Sequence, residues 1–382
     1  MAKSRVALIT CADYTPEKVY AALQKGFDLL GGIGSLVKPG EKIVLKPNVL
    51  IGTDPARCVT THPAVLRAAG QLFQRAGAEV FYGDSPAVGG CDLNLRLAGL
   101  KKVGDEAGFK VADFDHGREV SHPQALLAKK FTLAHGVLEA DGLVTLPKLK
   151  AHPLARLTGA VKNQFGCVPG LLKGQFHAKM PDPYDFAAML VDINTFIRPR
   201  FCIMDAVLAM EGNGPRSGQP RQVGALLLST DPVALDSVAA KLINLDPELV
   251  TTSAPGEKAG LGTYHYENID ILGDAVEPLI VRDFDVVRKP MPHAVSGRLR
   301  TWIKNSGTPR PIIDLASCNA CGTCIKMCPV GARALDWMQT DNGRKPKYNY
   351  SHCIRCYCCQ ETCPQGAIHV RTPWLGRVVF RA

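Results

Sequence analysis

Two cysteine runs near the C-terminus constrain this chain more than any other feature. Cys318-x2-Cys321-x2-Cys324-x3-Cys328-Pro329 is followed by Cys353-x2-Cys356-x2-Cys359-x3-Cys363-Pro364. Nine of the 14 cysteines lie between Cys318 and Cys363. Thiols clustered in this way either pair as disulfides or ligate metal, and the redox compartment decides which. The N-terminal MAKSRVALITCADYTPEK lacks a signal-peptide pattern, because the apolar stretch from Val6 to Ala12 is short and interrupted by Thr10. A cytoplasmic, reducing setting is therefore expected, and with it ligation rather than disulfides.

The doubled spacing is that of bacterial two-cluster ferredoxins. Three thiolates spaced by two residues wrap a loop around three irons of a cubane. The fourth, followed by Pro, opens a helical turn that reaches the neighbouring cluster. The expected ligand sets are Cys318, Cys321, Cys324 and Cys363 for one [4Fe–4S] cluster and Cys353, Cys356, Cys359 and Cys328 for the other. CPVGARAL (328–335) repeats as CPQGAIHV (363–370), as a pseudo-symmetric pair should, and Asp341-Asn342-Gly343 signals a hairpin between the motifs. Paired CxxC units also build zinc ribbons, but those do not need eight cysteines with each run closed by Pro. Cys358 is the surplus thiol, expected to pack as a small apolar residue. Cys11, Cys58, Cys91, Cys167 and Cys202 are scattered and read mostly as buried filler.

Charge divides the chain at the same place. Residues 282–382 carry 16 Lys+Arg and 6 Asp+Glu, whereas residues 1–281 carry 29 of each. Each oxidised cluster with its four thiolates contributes −2, so the tail's surplus of +10 falls to about +6. The remaining basic charge is expected to steer an acidic electron donor such as a small ferredoxin or flavodoxin. Three parts follow: a neutral domain (1–281), a basic linker (282–311) and a two-cluster domain with its tail (312–382). The linker has a short amphipathic pattern near 295–304. Packing across the domain seam explains this pattern as well as membrane-surface or nucleic-acid binding does, and no nucleic-acid module is recognisable. No apolar run approaches a transmembrane span.

In the neutral part, β-branched runs alternate with helical patterns. Strands are expected at 5–12, 42–48, 79–85, 142–148, 201–210 and 225–230, and helices from Pro16, from a Thr60 or Thr61 cap to about Gly77, within 94–107, and near 154–165, 183–197 and 231–244. This alternation predicts an α/β fold with a largely parallel sheet flanked by helices, plus a small α+β ferredoxin-like domain. Neither a GxGxxG fingerprint nor a Walker-A sequence is present, so no nicotinamide or flavin site is expected; Gly31-Gly32-Ile33-Gly34 reads as a helix terminator.

Parallel sheets place their chemistry at the carboxyl ends of strands. Four exits are polar: Lys46-Pro47-Asn48, Gly83-Asp84-Ser85-Pro86, Pro147-Lys148-Leu149-Lys150-Ala151-His152, and Glu211-Gly212-Asn213-Gly214-Pro215. In an extended segment Lys148, Lys150 and His152 share one side. Lys162-Asn163 follows at a helix end, then Lys173 and His177 one loop later. These residue types suit an anionic or carbonyl-bearing ligand, with Lys as point charge or proton donor, Asn as orienting amide and His as acid or base. The alternative is a set of solvated lysines and capping groups. His62, His152, His177 and Cys167 have no spacing diagnostic of a mononuclear metal site.

The runs KPNVL, TTHPAVLRA, GAEVFYGDSP, LPKLKAH, TGAVKNQFG, DAVLAMEGNGPRSGQP and STDPVALDSVAAKL together resemble domain-of-unknown-function family 362, over roughly residues 5–245. Members are commonly fused to a C-terminal two-cluster ferredoxin. The resemblance implies that Lys46, Asn48, Lys148, Lys150, His152, Lys162, Asn163, His177, Asp205, Glu211 and Asp236 belong to the family's motif set. Asp236 reads as a helix-packing carboxylate or as lining of the crevice. The expected function is a ferredoxin-fused reductase, with Lys148, His152, Lys162 and Asn163 as catalytic candidates. Lys46, Asn48, Lys150, His177 and Glu211 are then substrate-binding candidates. Two other readings are an electron carrier or reductive activator whose α/β domain recognises a protein partner, and non-redox chemistry with structural clusters.

Overall fold

The computed structural model describes residues 3–291, 305–340 and 343–373; the 295–304 amphipathic stretch lies outside them. Compact packing divides the chain into two units. One comprises residues 1–173 and 187–289, the other residues 174–186 and 290–382. The first unit thus extends past 281: Phe284 and Val286 bury in its core, and the Arg288 guanidinium donates to the Phe284 and Ile243 carbonyls.

The first unit is built on β1 (Ser4–Thr10), β2 (Lys42–Pro47), β3 (Glu79–Tyr82), β4 (Lys110–Val111), a hairpin of β5 (Gly117–Ser121) and β6 (Lys130–Ala134), β7 (Gly142–Leu146), β8 (Lys148–His152), β9 (Arg156–Thr158), β10 (Phe201–Glu211), β11 (Gln219–Ser229) and β12 (Ile269–Gly273). The main sheet runs β12-β1-β11-β10-β7-β2-β3-β4, with β8 and β9 continuing beside β10. Its helices are α1 (Pro16–Leu29), α2 (Pro63–Arg75), α3 (Cys91–Leu97), α4 (Leu100–Glu106), α5 (His135–Leu138), α6 (Ala160–Asn163), α7 (Leu172–Lys179), α8 (Pro183–Ile197), α9 (Pro232–Leu242) and α10 (Ser253–Lys258), of which α7 and α8 each have residues in both units.

Most pairings are parallel, as expected, but β11 is antiparallel to both β1 and β10. It begins at Gln219, six residues before the predicted strand, leaving only residues 212–218 to connect it to β10. That connection is too short for the crossover a parallel neighbour requires. Val6 and Leu8 of β1 pack with Ala234, Leu235 and Val238 of α9 on one face. On the other, Phe27 of α1 stacks on Phe201 with centroids 4.9 Å apart. Central strands covered on both faces become continuous apolar runs such as ALLLS.

Two helix starts differ from expectation. Pro63 takes the first helical position of α2, so the cap is His62, whose Nδ1 accepts from the Ala64 amide at 3.2 Å. The Thr61 hydroxyl instead donates to the Leu146 carbonyl. The helix expected near 154–165 is instead the β8–β9 turn followed by short α6. His152 Nδ1 accepts from the Leu154 and Ala155 amides at 3.0 and 3.2 Å, closing that turn, and Arg156 follows at φ +70°.

In the second unit, β13 (Arg310–Ile313) pairs antiparallel with β16 (Ile368–Arg371), and β14 (Leu335–Thr340) with β15 (Gly343–Tyr348), the expected hairpin. Short helices α11 (Thr323–Lys326) and α12 (Cys358–Thr362) carry the third cysteine of each motif.

Candidate functional site

The carboxyl ends of β2, β3 and β7, with β8 and the start of β10, converge on a buried polar network. Lys46 Nζ sits 2.7 Å from Asp84 Oδ1 and donates to Asn163 Oδ1 at 3.3 Å. Asn48 Nδ2 donates to the same oxygen at 3.1 Å, while Asn48 Oδ1 accepts from Lys150 Nζ at 2.6 Å. Lys150 also donates to the Val59 carbonyl at 2.8 Å. Asn163 Nδ2 in turn donates to Thr145 Oγ1 at 2.8 Å and to the Lys46 carbonyl at 3.2 Å. Asn163 is therefore a hub that fixes the end of β2, with its Lys46, against β7. Gly166 is required here, because a Cβ would lie 1.9 Å from Asp84 Oδ1.

A second centre adjoins it in sequence. Lys148 Nζ donates to Asp205 Oδ2 at 2.9 Å and to the Tyr14 hydroxyl at 2.7 Å, and that hydroxyl donates to Asp205 Oδ1 at 2.7 Å. The His62 amide also donates to Asp205, and the His62 ring stacks on Tyr14 with centroids 3.6 Å apart. Burial pushes His62 down to about 4, so its ring is neutral. Burial and the Asp205 charge push the Tyr14 phenol far above its ordinary range, so it keeps its proton. Lys148 and Asp205 are 1% and 0% exposed, so their charges neutralise each other out of water.

Lys46, Asn48, Lys148, Lys150, His152 and Asn163 are all buried, whereas Lys162 is half-buried. The Asp236 carboxylate receives the Ala160 and Val161 amides at 2.6 and 3.2 Å, anchoring the first turn of α6, and burial raises it to about 7. Its role is to position the segment that carries Lys162 and Asn163. Glu211 lies outside the network: it accepts from the Asp285 amide at 3.0 Å and sits 3.7 Å from Arg221. His177 belongs to the other compact unit, buried and stacked on Phe186 with centroids 4.3 Å apart.

The sequence reading underweighted Tyr14, His62 and Lys173. The Lys173 ammonium donates to the Ser85 and Val168 carbonyls at 2.7 and 2.6 Å, and burial lowers it to about 7. Proximity to Asp84 and Lys46 contributes smaller, opposing effects. The run of Lys, Gly and His between 170 and 177 was the available signal for it.

In the second unit, two cavities are lined by cysteines drawn crosswise from the two motifs. One is bordered by Cys318, Cys321, Cys324 and Cys363. The other is bordered by Cys328, Cys353, Cys356 and Cys359. Among the described residues no three His, Cys, Asp or Glu side chains close in on a single-ion site. Thiolates spread around an enclosed space suit a multi-iron core, which ligates each sulfur at a different iron. Cys358 borders neither cavity; its thiol is within hydrogen-bonding reach of Cys356.

An α/β unit with a buried lysine network, joined in one chain to a cysteine-lined ferredoxin-type unit, defines the class. Residues 43–241 match the family described as domain of unknown function (DUF362), and residues 317–367 match the 4Fe-4S dicluster domain. The chain belongs to the DUF362 family and carries a C-terminal dicluster ferredoxin domain. It is similar to the thylakoid-associated protein sll1697 of Synechocystis sp., with 38% identity over 262 residues, 68% of this chain and 81% of that relative. Among solved structures it is similar to the lactate racemase apoprotein of Thermoanaerobacterium thermosaccharolyticum, with 14% identity and a TM-score of 0.41, covering 62% of this chain and 56% of that one. It is also similar to a Thermotoga maritima protein, with 14% identity and a TM-score of 0.34, covering 57% and 56%. The chain thus spans just over half the length of either solved structure. No described helix is long and apolar enough to cross a membrane.

Proposed function

We propose that the chain is a ferredoxin-fused reductase that passes low-potential electrons from two [4Fe–4S] clusters to an anionic or carbonyl-bearing substrate or cofactor at the strand ends of the α/β unit. The observation that carries this reading is the crosswise division of eight cysteines between two cavities. Each bound cluster supplies one electron at a time. Lys46 and Lys148 are tied to Asp84 and Asp205, so their part is to hold the strand ends rigid. Lys150, donating to Asn48 and the Val59 carbonyl, has the same holding part, while half-buried Lys162 presents positive charge to an anionic group. Lys173, near 7, holds a proton it can release at neutral pH. For a carbonyl the balance is two electrons, one from each cluster, and two protons, one from Lys173 and one from solvent.

An acidic donor such as a small ferredoxin or flavodoxin suits the open groove bordered by Arg333, Lys347, His352 and Trp337, with Asp336 as its one acidic side chain, beside the second cysteine cavity. The 14 thiols suit a reducing, cytoplasmic setting.

The test is anaerobic reconstitution followed by stopped-flow reoxidation of the dithionite-reduced protein by a panel of 2-oxo acids. About eight irons per chain are expected from the ligand rule. The Lys162→Met/Lys173→Met double variant should keep the reduced-cluster spectrum and lose reoxidation. A wild-type protein that loads two zinc ions and no iron refutes the redox reading. One that no 2-oxo acid reoxidises refutes the reductase.

A further inference from the structure

The two halves of the ferredoxin-type unit superpose in sequence with an offset of 35 residues: Cys318, Cys321, Cys324 and Cys328 correspond to Cys353, Cys356, Cys359 and Cys363. The same offset relates Ile313, the last residue of β13, to Tyr348, the last residue of β15. Each borders the cavity of its own half. At this pseudo-symmetric place the two halves differ in chemistry. Ile313 has nothing to donate. The Tyr348 hydroxyl donates to Cys359 Sγ at 3.1 Å, beside buried Leu335.

A second pair of matched positions does not break the symmetry. Thr323 corresponds to Cys358. The Thr323 hydroxyl lies 3.3 Å from Cys321 Sγ, and the Cys358 thiol lies within hydrogen-bonding reach of Cys356, the matching ligand. The surplus cysteine therefore occupies the place of a hydroxyl donor. Both clusters have a contact of this kind, and only one has the phenol.

We infer that Tyr348 makes the two clusters unequal, holding the cluster of Cys353, Cys356, Cys359 and Cys328 at the higher reduction potential, so that the first electron taken up rests there. This rests on the two-cluster reading of the same cysteines. Reduction takes the core from 2+ to 1+ by one electron from an external low-potential donor. No bond forms or breaks, and the phenolic proton stays on Tyr348. The added negative charge spreads onto the ligating sulfurs, so a donor aimed at one of them stabilises the reduced state more than the oxidised one. Cys359 itself is buried, which limits the water that competes for its sulfur. Tyr348 also borders the open groove lined by Arg333, Asp336 and Lys347, so the favoured cluster's cavity shares a wall residue with the surface proposed for the electron donor.

The experiment is a dithionite potentiometric titration of the reconstituted full chain, followed by electron paramagnetic resonance, comparing wild type with Tyr348→Phe. Phe keeps the ring and removes only the hydroxyl. The expected result is two resolved one-electron steps in wild type. The upper step alone should fall in the variant, by about tenfold in the reduced-to-oxidised ratio at fixed potential, or about 59 mV for a one-electron couple. Cys358→Thr, which copies the other half, should leave both steps in place. Equal movement of both steps, or no movement with full iron content, overturns the inference. Iron content is read separately: a wild-type chain with well under eight irons fails the two-cluster reading itself, and a variant that alone loses iron assigns Tyr348 a purely structural role.

Discussion

Replacing Asp205 with Asn tests whether the Lys148–Asp205–Tyr14 centre holds the strand ends together or merely decorates them. The substitution keeps shape and removes charge from a group that is fully buried and accepts from Lys148 Nζ, the Tyr14 hydroxyl and the His62 amide. The remaining Lys148 ammonium, 1% exposed, has then lost its counter-charge. Breaking a buried pair in this way costs about 3–5 kcal/mol, because the surviving ion was desolvated at the expense of its partner. With a urea dependence of about 3 kcal/mol/M, the midpoint should fall by about 1–1.7 M. The pair can also be removed whole: Lys148→Met with Asp205→Leu should recover at least half of the loss, since neither charge is then stranded. The assay separates the units by sequence alone, because all three tryptophans, Trp302, Trp337 and Trp374, lie in the C-terminal part. Far-UV circular dichroism therefore follows mainly the α/β unit, while tryptophan fluorescence follows the other. Single substitutions that each cost under about 1 kcal/mol and add without coupling would refute the reasoning, as would a shift confined to fluorescence.

Three further outcomes follow from the geometry. Asp236 has a folded-state value near 7 against 3.8 when free, so its burial favours the protonated form; stability is greatest below about 3.8 and declines as pH rises toward 7. Asp236→Asn should flatten that dependence, gaining relative to wild type by up to about 1.4 kcal/mol per pH unit between 5 and 7 in urea titrations; a wild-type slope the variant retains would contradict it. Gly166→Ala, which drives a Cβ against Asp84 Oδ1, should destabilise the α/β unit by about 3 kcal/mol or more, whereas Gly174→Ala, with nothing near its Cβ, should cost well under 1. Cys328→Ser should spoil the cluster of the second motif and spare that of its own, read as loss of one resonance signal and about four irons; loss of the first-motif signal would show that the ligands do not cross.

The cysteine spacing was legible because it is local: loop and ligand geometry are set within a dozen residues, and both cavities gather the sets the sequence indicates. The central strands were legible for a similar reason, since burial on two faces leaves an apolar run. Direction was not, because such a run has no polarity; only the true start of β11 at Gln219 makes the antiparallel hairpin unavoidable. The lysines at the strand exits could be named from the sequence, but their partners could not. Tyr14 reaches Asp205 across 191 positions, and Asn163 reaches Asn48 across 115. Reading Lys148, Lys150 and His152 as one projecting row also missed what each does. One is neutralised by Asp205, one is held by Asn48, and one closes a turn.

The crossed lining of the two cysteine cavities also bears on how the domain comes into being. The quartet of the second motif is completed by Cys359, and the quartet that starts at Cys318 is completed only by Cys363. As the chain is synthesised, neither set of four exists until nearly all of this domain has emerged, and then both become available within four residues of each other. A ribosome-bound fragment ending between the motifs would hold four thiols that belong to two different destinations. Loading with iron is thereby tied to the finished chain, and a truncated product is left without a complete site of either kind.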